Sequence, residues 1–479
     1  MLYSATVTVV NVTLPQLQGS LSTSPDQIAW VVTLNVVGTA IVTPMSGWLT
    51  ARLGERTLLI GSVAGFAITS FLCATATSLT PMLIYRVAQG MLGAPIVPVC
   101  QAIVLRTFAG EKSAQAQSFF GMAIVLGMGL APVAGGYVAE AHNWRAVFLL
   151  LVPLSIAALV MILLFIEQRG QSKNLRLDWT GFLSLAAAIA CLQLFLDRGE
   201  SLGWFDSTEI ILYTCGVMLA LYIFIVQTAT ATNPFFNREL LKNRNYIVGL
   251  LLVCAYGMLN FTPITLLPPL LQNQQGFPDS LIGWLLAMRG FGTFVGFYVA
   301  GRMAKIDLRI SMVVGFSLIG FSGLLLAVVE HNSRVDWMIW AGLIQGLGSG
   351  ILWVPVTRAT FWTLPDRLLP DGSAMFHLLR NVGQSIYIAL CFVVIVRTGQ
   401  TSYSELIQHI NPYNEGLNFD WVSGLWSTQS RESLTSLSNE LVRQSQLIAF
   451  NNAFLLYSWT CFAIIPVVFL WSHKRQKAR

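Results

Sequence analysis

In 479 residues only 10% are Asp, Glu, Lys or Arg while 55% are apolar, and the formal net charge at pH 7 is +6. No water-facing surface of this size can be built from so few charges, so a soluble globular domain is excluded and lipid is the solvent for most of the chain. The positive excess is not a nucleic-acid footprint, because Lys and Arg gather in alternate short loops and not in one patch.

The apolar residues fall into blocks of roughly 20, the length a helix needs to cross the hydrocarbon core, each closed by charges or turn residues. Polar and apolar positions do not alternate within them, which predicts helices and not barrel strands. In chain order the expected spans lie near 1–16, 26–49, 57–77, 80–105, 115–139, 146–166, 178–196, 208–229, 246–272, 280–300, 310–330, 337–357, 373–397 and 448–471. An all-α polytopic membrane protein of fourteen spans follows. Cys73, Cys100, Cys191, Cys215, Cys254, Cys391 and Cys461 all fall inside these blocks without metal-ligand spacing, so no disulfide, metal or cofactor is expected.

The first block is short. It reaches Pro15 with no basic flank and no small-residue cleavage site, so it reads as a span that lacks its beginning and not as a signal peptide. From there on the charges alternate. One set of loops holds Arg52, Arg56, Arg106, Lys112, Arg169, Lys173, Arg176, Arg238, Lys242, Arg244, Arg302, Lys305, Arg309 and Arg367, whereas the opposite short loops hold Arg145, Arg198 and Arg334. The positive-inside rule places the first set in the cytoplasm together with the tail residues Lys474, Arg475, Lys477 and Arg479. With an even span count the N-terminus lies there too.

Two internal repeats appear eight spans apart. Gln89-Gly90-Met91-Leu92-Gly93-Ala94-Pro95-Ile96-Val97-Pro98-Val99 in span 4 matches Gln345-Gly346-Leu347-Gly348-Ser349-Gly350-Ile351-Leu352-Trp353-Val354-Pro355-Val356 in span 12. Gly47-Trp48-Leu49-Thr50-Ala51-Arg52 after span 2 matches Gly301-Arg302-Met303-Ala304-Lys305 after span 10. The chain therefore reads as six, two and six: a bundle over 1–167, an inserted helix pair over 168–240, and a second bundle over 241–479.

These features resemble the major facilitator superfamily, and within it the fourteen-span drug:proton antiporters. The family's loop motif is met by Gly47, Leu49, Arg52, Gly54 and Arg56, with Ala51 where the family has an acid, and Gly301 and Arg302 repeat it. The resemblance makes these cytoplasmic gating loops. Arg86-Val87-Ala88-Gln89-Gly90 matches the family's Arg-x-x-Gln-Gly in a cavity-lining helix. An Arg in mid-membrane costs about 2.5–3.5 kcal/mol on insertion scales, so Arg86 needs a polar partner or a wet cavity. It reads either as a proton-relay or anchoring residue, with Gln89, or as an Arg bonded to backbone carbonyls to hold two helices.

Span 5 carries Gly127-Met128-Gly129-Leu130-Ala131-Pro132-Val133-Ala134-Gly135-Gly136, similar to the motif that marks exporters. Pro132 removes one backbone hydrogen bond and Gly135 and Gly136 permit close packing, so a bend that seals the cavity is expected. The loop residues Leu196-Asp197-Arg198-Gly199-Glu200, Asn233-Pro234, Lys242-Asn243-Arg244-Asn245 and Asn411-Pro412-Tyr413-Asn414 resemble those of EmrB-type multidrug exporters. In span 13, His377 stands where the family usually has Asn, near Arg380, Gly383, Gln384 and Ser385. It is either a cavity imidazole that carries the proton or a His hydrogen-bonded between helices.

Counting back from Asn11-Val12-Thr13-Leu14-Pro15, the family's span 1 Asp falls on Thr6, which cannot titrate. None of the 22 Asp and Glu residues lies mid-span. His377, aided by the charges of Arg86, Arg289 and Arg380, is therefore expected to replace the carboxylate, although Arg289 reads equally as a structural Arg near the membrane interface. Residues 398–447 form the one long outer loop expected, with an amphipathic helix over 431–447 through Leu434, Leu437, Leu441 and Ile448. The resemblance implies proton-driven export of hydrophobic or amphipathic compounds from the bacterial inner membrane, in partnership with a periplasmic EmrA-like adaptor and a TolC-type outer-membrane channel. A dedicated exporter of one endogenous metabolite, such as a siderophore or fatty acid, and a non-transporting sensor of the same fold remain alternatives. No nucleophile–base set or phosphate-cradling loop suggests an enzyme.

Overall fold

The computed structural model describes residues 6, 10, 13, 14, 16–108, 111–167, 177–232, 234–303, 307–330, 334–411 and 431–471. Among them thirteen segments are long and apolar enough to cross a membrane, two of them built from two consecutive α-helices each, and they are preceded by the helix α1 that holds residues 16–20. The others are α2 (Pro25–Val42), α3 (Ser46–Leu53), α4 (Glu55–Thr75), α5 (Leu79–Gly93), α6 (Ile96–Thr107), α7 (Glu111–Ala141), α8 (Trp144–Phe165) and α9 (Trp179–Arg198). They continue as α10 (Thr208–Thr230), the short α11 (Glu239–Lys242), α12 (Arg244–Gln275), α13 (Asp279–Arg302), α14 (Leu308–Ala327), α15 (Val335–Phe361), α16 (Leu369–Gln408) and α17 (Arg431–Val468).

Polar caps decide where several helices begin. Ser24 and Gln27 form a capping box at α2, and Asn143, Asp178, Asn243 and Asp307 each accept a backbone N–H at the start of α8, α9, α12 and α14. These bonds satisfy amide groups that lipid cannot. Two spans break at prolines. Spans 2 and 4, expected as single helices, are each interrupted: a 3-10 turn over Thr43–Met45 containing Pro44 separates α2 from α3, and Pro95 precedes α6. Proline has no amide hydrogen to continue the ladder.

Packing divides the helices into two groups. α5 lies against α2 and α4, and α4 against α8; in the second half α15 lies against α13, α14 and α12, while α12, α14 and α16 surround α17. α9 and α10 pair with each other, and α9 also touches both α2 and α16. Of the most apolar stretch of α10 only 11% is buried, and Leu212, Met218, Leu219, Tyr222 and Ile225 are exposed, so this helix faces lipid.

The long outer loop differs most from the sequence expectation. Much of 398–447 is helix: α16 continues past the membrane to Gln408 and α17 starts at Arg431. The predicted amphipathic helix over 431–447 is thus the outer end of α17 and not a separate element. Bonds one turn apart hold these polar ends, such as Thr401 Oγ1 to the Arg397 carbonyl at 3.0 Å and Gln444 Nε2 to Glu440 Oε1 at 2.6 Å. Trp421 and Trp426 lie outside the described residues.

Candidate transport pathway and gate

The repeats seen in the sequence are repeats of contact. A Cβ at Gly90 would overlap the carbonyl oxygen of Asn35, and a Cβ at Gly346 would overlap that of Arg289. One turn away, Gly38 packs on the Val87 carbonyl and Gly292 on that of Leu343. Thr39 Oγ1 donates to the Asn35 carbonyl at 2.9 Å and Thr293 Oγ1 to the Arg289 carbonyl at 3.0 Å. The α2–α5 crossing and the α13–α15 crossing are therefore the same grip, built once in each half on glycines that let two backbones meet.

The two grips differ in where they hold their arginine. Arg86, 1% exposed, donates from Nε to the Val31 carbonyl at 2.9 Å and from Nη1 to Gln89 Oε1 at 2.6 Å. Gln89 Nε2 donates to Ser70 Oγ at 2.7 Å, and Asn35 Nδ2 to the Arg86 carbonyl at 2.9 Å. This network ties α2, α4 and α5 together, which is the geometry of a clamp. In the second half Gly342 takes the place of Arg86, and the arginine stands on the facing helix as Arg289, where the first half has Asn35. Arg289 Nη2 donates to the Asn260 carbonyl at 2.6 Å and to Asn260 Oδ1 at 2.9 Å. It lies in the middle of α13 and not near the membrane interface. An alignment of the two halves would have shown the exchange.

His377 is 2% exposed and neither ring nitrogen has a hydrogen-bond partner among the described residues. It faces the rings of Phe376 at 5.5 Å and Trp353 at 6.2 Å, so the expected bond between helices is not what holds it. Arg380 lies over the Trp353 ring at 5.8 Å and donates from Nη2 to Asn381 Oδ1 at 3.1 Å. Thr6 is fully buried, whereas Asn11 lies outside the described residues. α7 carries Pro132 and Gly136, with Gly135 buried, as one uninterrupted helix.

At the end of the molecule that bears the basic loops the two halves close on each other. Asp371, in the first turn of α16, presses on Gly47 so tightly that a Cβ there would overlap its carboxylate. Ser373 Oγ lies 2.9 Å from the Pro98 carbonyl and 3.2 Å from Gln101 Oε1. The Phe297 ring fills the space beside Gly121, and Gly301 rests on Ser118. Gly54, at φ 82°, makes the turn from α3 to α4 that only glycine adopts without strain. Arg56 Nη2 donates to the Leu163 carbonyl at 2.9 Å, Arg52 lies over Trp48 at 5.0 Å, and Arg302 over Tyr298 at 3.6 Å. Glu55 and Arg106 pair at 2.5 Å. The sequence motif points to Gly47 but not to Asp371. The signal for the acid is Pro370-Asp371-Gly372, a carboxylate in the first turn of a membrane helix, while Ala51 leaves the motif's own acid position without one.

Two repeated helix groups that grip alike, meet around a polar layer in mid-membrane and close at one end define a multi-pass membrane transporter. The sequence profile described as Major Facilitator Superfamily matches residues 1–388, and the chain belongs to that family. It is 29% identical over 96% of its length to the multidrug export protein EmrB of Escherichia coli K12, covering 91% of that protein. It is 29% identical to the probable multidrug resistance protein EmrY of the same organism, covering 98% of this chain and 92% of that one. Among solved structures it superposes on the proton:xylose symporter XylE with a TM-score of 0.61 at 12% identity, over 98% of this chain and 96% of that one. The human organic anion transporter MFSD10 gives 0.57 at 13% identity, over 91% and 83%.

Proposed function

We propose that this protein exports hydrophobic and amphipathic compounds across the bacterial inner membrane in exchange for protons, by alternating access between two six-helix bundles. The observation that carries the reading is the closure at the basic end. It is made of close contacts at Gly47, Gly121 and Gly301, the first against Asp371, and of the Ser373 hydroxyl, a seam of short-range contacts that can part as the two bundles rock. Similarity to multidrug exporters along nearly the whole chain supplies the direction of transport and the class of cargo. The positive-inside rule places the closed end and both termini in the cytoplasm. The same similarity supports an EmrA-like adaptor and a TolC-type channel as partners, with the outer ends of α16 and α17 as the docking element. Dye efflux from vesicles that depends on an imposed pH gradient tests the reading. Gradient-independent release would sink it.

His377 is the proton carrier in this reading. It sits on the same face of α16 as Ser373, one turn deeper, so parting of the seam opens it to cytoplasmic water. Phe376, Trp353 and the Arg380 charge surround it, and an imidazole takes up and releases protons near neutral pH when water reaches it. His377→Gln is expected to lower gradient-driven efflux by about tenfold or more while substrate binding persists. Efflux that keeps its rate and pH profile would remove His377 from the mechanism.

A further inference from the structure

Arg289 lies close to the midpoint of α13, Asn260 to that of α12 and Ser349 to that of α15. The three therefore meet in the layer where two-bundle transporters hold their cargo. Asn260 binds the guanidinium with both its carbonyl and Oδ1, at 2.6 and 2.9 Å, and Ser349 donates to the same Oδ1. All of these partners are neutral. Nε of Arg289 is buried and has no hydrogen-bond partner among the described residues. The neighbours of this cluster are phenols: the Tyr256 hydroxyl lies 3.4 Å from Ser349 Oγ, and the Tyr457 hydroxyl donates to the Leu259 carbonyl at 3.0 Å.

The contrast with the first half is informative. Arg86 is turned onto Val31 and Gln89 and sealed at 1% exposure, so its charge is occupied in packing. Arg289 is held from one side, half-buried, with a donor unmet and no carboxylate partner among the described residues. A guanidinium fixed in mid-membrane by neutral acceptors is a preformed receptor for an oxyanion, which its planar fork matches. Beside it Tyr256 and Trp353, with ring centroids 5.2 Å apart, give an aromatic wall.

We propose that Arg289, oriented by Asn260 and Ser349, anchors the anionic head of an amphipathic substrate, a carboxylate or sulfonate carried on an apolar aromatic or aliphatic body. This rests on the exporter reading above and narrows its cargo by charge. Arg289 acts as a binding residue; Asn260 and Ser349 position it.

The test uses a matched pair of fluorescent probes, anilinonaphthalenesulfonate and N-phenylnaphthylamine, which share a body and differ by the sulfonate. The full chain is reconstituted in phosphatidylcholine vesicles, whose headgroups carry no net charge and cannot supply the anion, and proton-driven efflux of each probe is measured. Arg289→Gln is expected to lower the anionic-to-neutral efflux ratio about tenfold or more. Asn260→Asp, which sets a fixed carboxylate against the same guanidinium, is expected to lower the ratio with Arg289 still present, and it decides the matter if the glutamine variant fails to fold. A ratio unchanged in a folded variant overturns the proposal. A wild-type protein that exports the neutral probe and not the anionic one also overturns it. Failure to export either probe brings down the exporter reading itself, and this inference with it.

Discussion

A Gly47→Val protein is expected to fold and insert, yet to lose efflux by about 5- to 150-fold. The added Cβ would meet the Oδ1, Cγ and Cα atoms of Asp371, and overpacking of this kind costs about 1–3 kcal/mol. The cost falls on the closed seam alone, because Gly47 and Asp371 belong to opposite halves and separate when the seam parts. A shift of that size in one of two alternating states depopulates it by the same factor. Efflux measures the loss, and a cysteine at Ser373 reports its cause: labelling from the cytoplasmic side by a water-soluble maleimide should rise. Two of the three nearest atoms lie on the Asp371 side chain, so Asp371→Ala should restore part of the transport. Normal efflux in Gly47→Val would show that the seam is not the gate.

Arg86→Met should act on the other quantity, stability. The substitution keeps an apolar stem and removes the donors to the Val31 carbonyl and Gln89 Oε1, within a network that also holds Ser70. Orphaning a buried amide oxygen costs about 1–3 kcal/mol, and loosening the α2–α5 grip adds to it. A loss of about 2–4 kcal/mol is expected, read as a lower melting temperature of the purified protein. Arg289→Gln keeps a donor within reach of Asn260 and should melt much closer to the wild type while changing the charge preference of efflux. The two arginines would then separate cleanly, one in melting and one in selectivity. If both variants shifted only the melting temperature, both residues would be clamps.

Several of these features are legible in the residue pattern. The Gln-Gly repeats at 89–90 and 345–346 and the glycines at 47 and 301 mark places where helices meet closely, because backbone contact in lipid demands glycine and glycine leaves a readable letter. The breaks at Pro44 and Pro95 are not legible from proline alone, because proline removes one ladder bond wherever it falls, yet Pro153, Pro263, Pro355 and Pro466 lie inside continuous helices. The outer end of α17 is recognisable as helical from Leu434, Leu437 and Leu441, but its continuity with span 14 is not. Hydropathy ends a span where the polar residues begin, while the backbone hydrogen bonds carry on into water.

What the sequence determined by itself is the solvent, the helical nature of the spans, and the two-fold repetition. Each of these follows from local runs of residue type, since lipid requires every spanning segment to satisfy its own backbone. What only the tertiary structure decided is the use to which each charge is put. Arg86 and Arg289 look alike in their spans, yet one is bonded into a crossing and the other is held with a donor unmet. Asp371 lies more than three hundred residues from Gly47 in sequence and supplies an acid at a motif whose own position is Ala51. Such roles depend on which partners lie within about 3 Å, and that distance is set by packing between halves that no local pattern records.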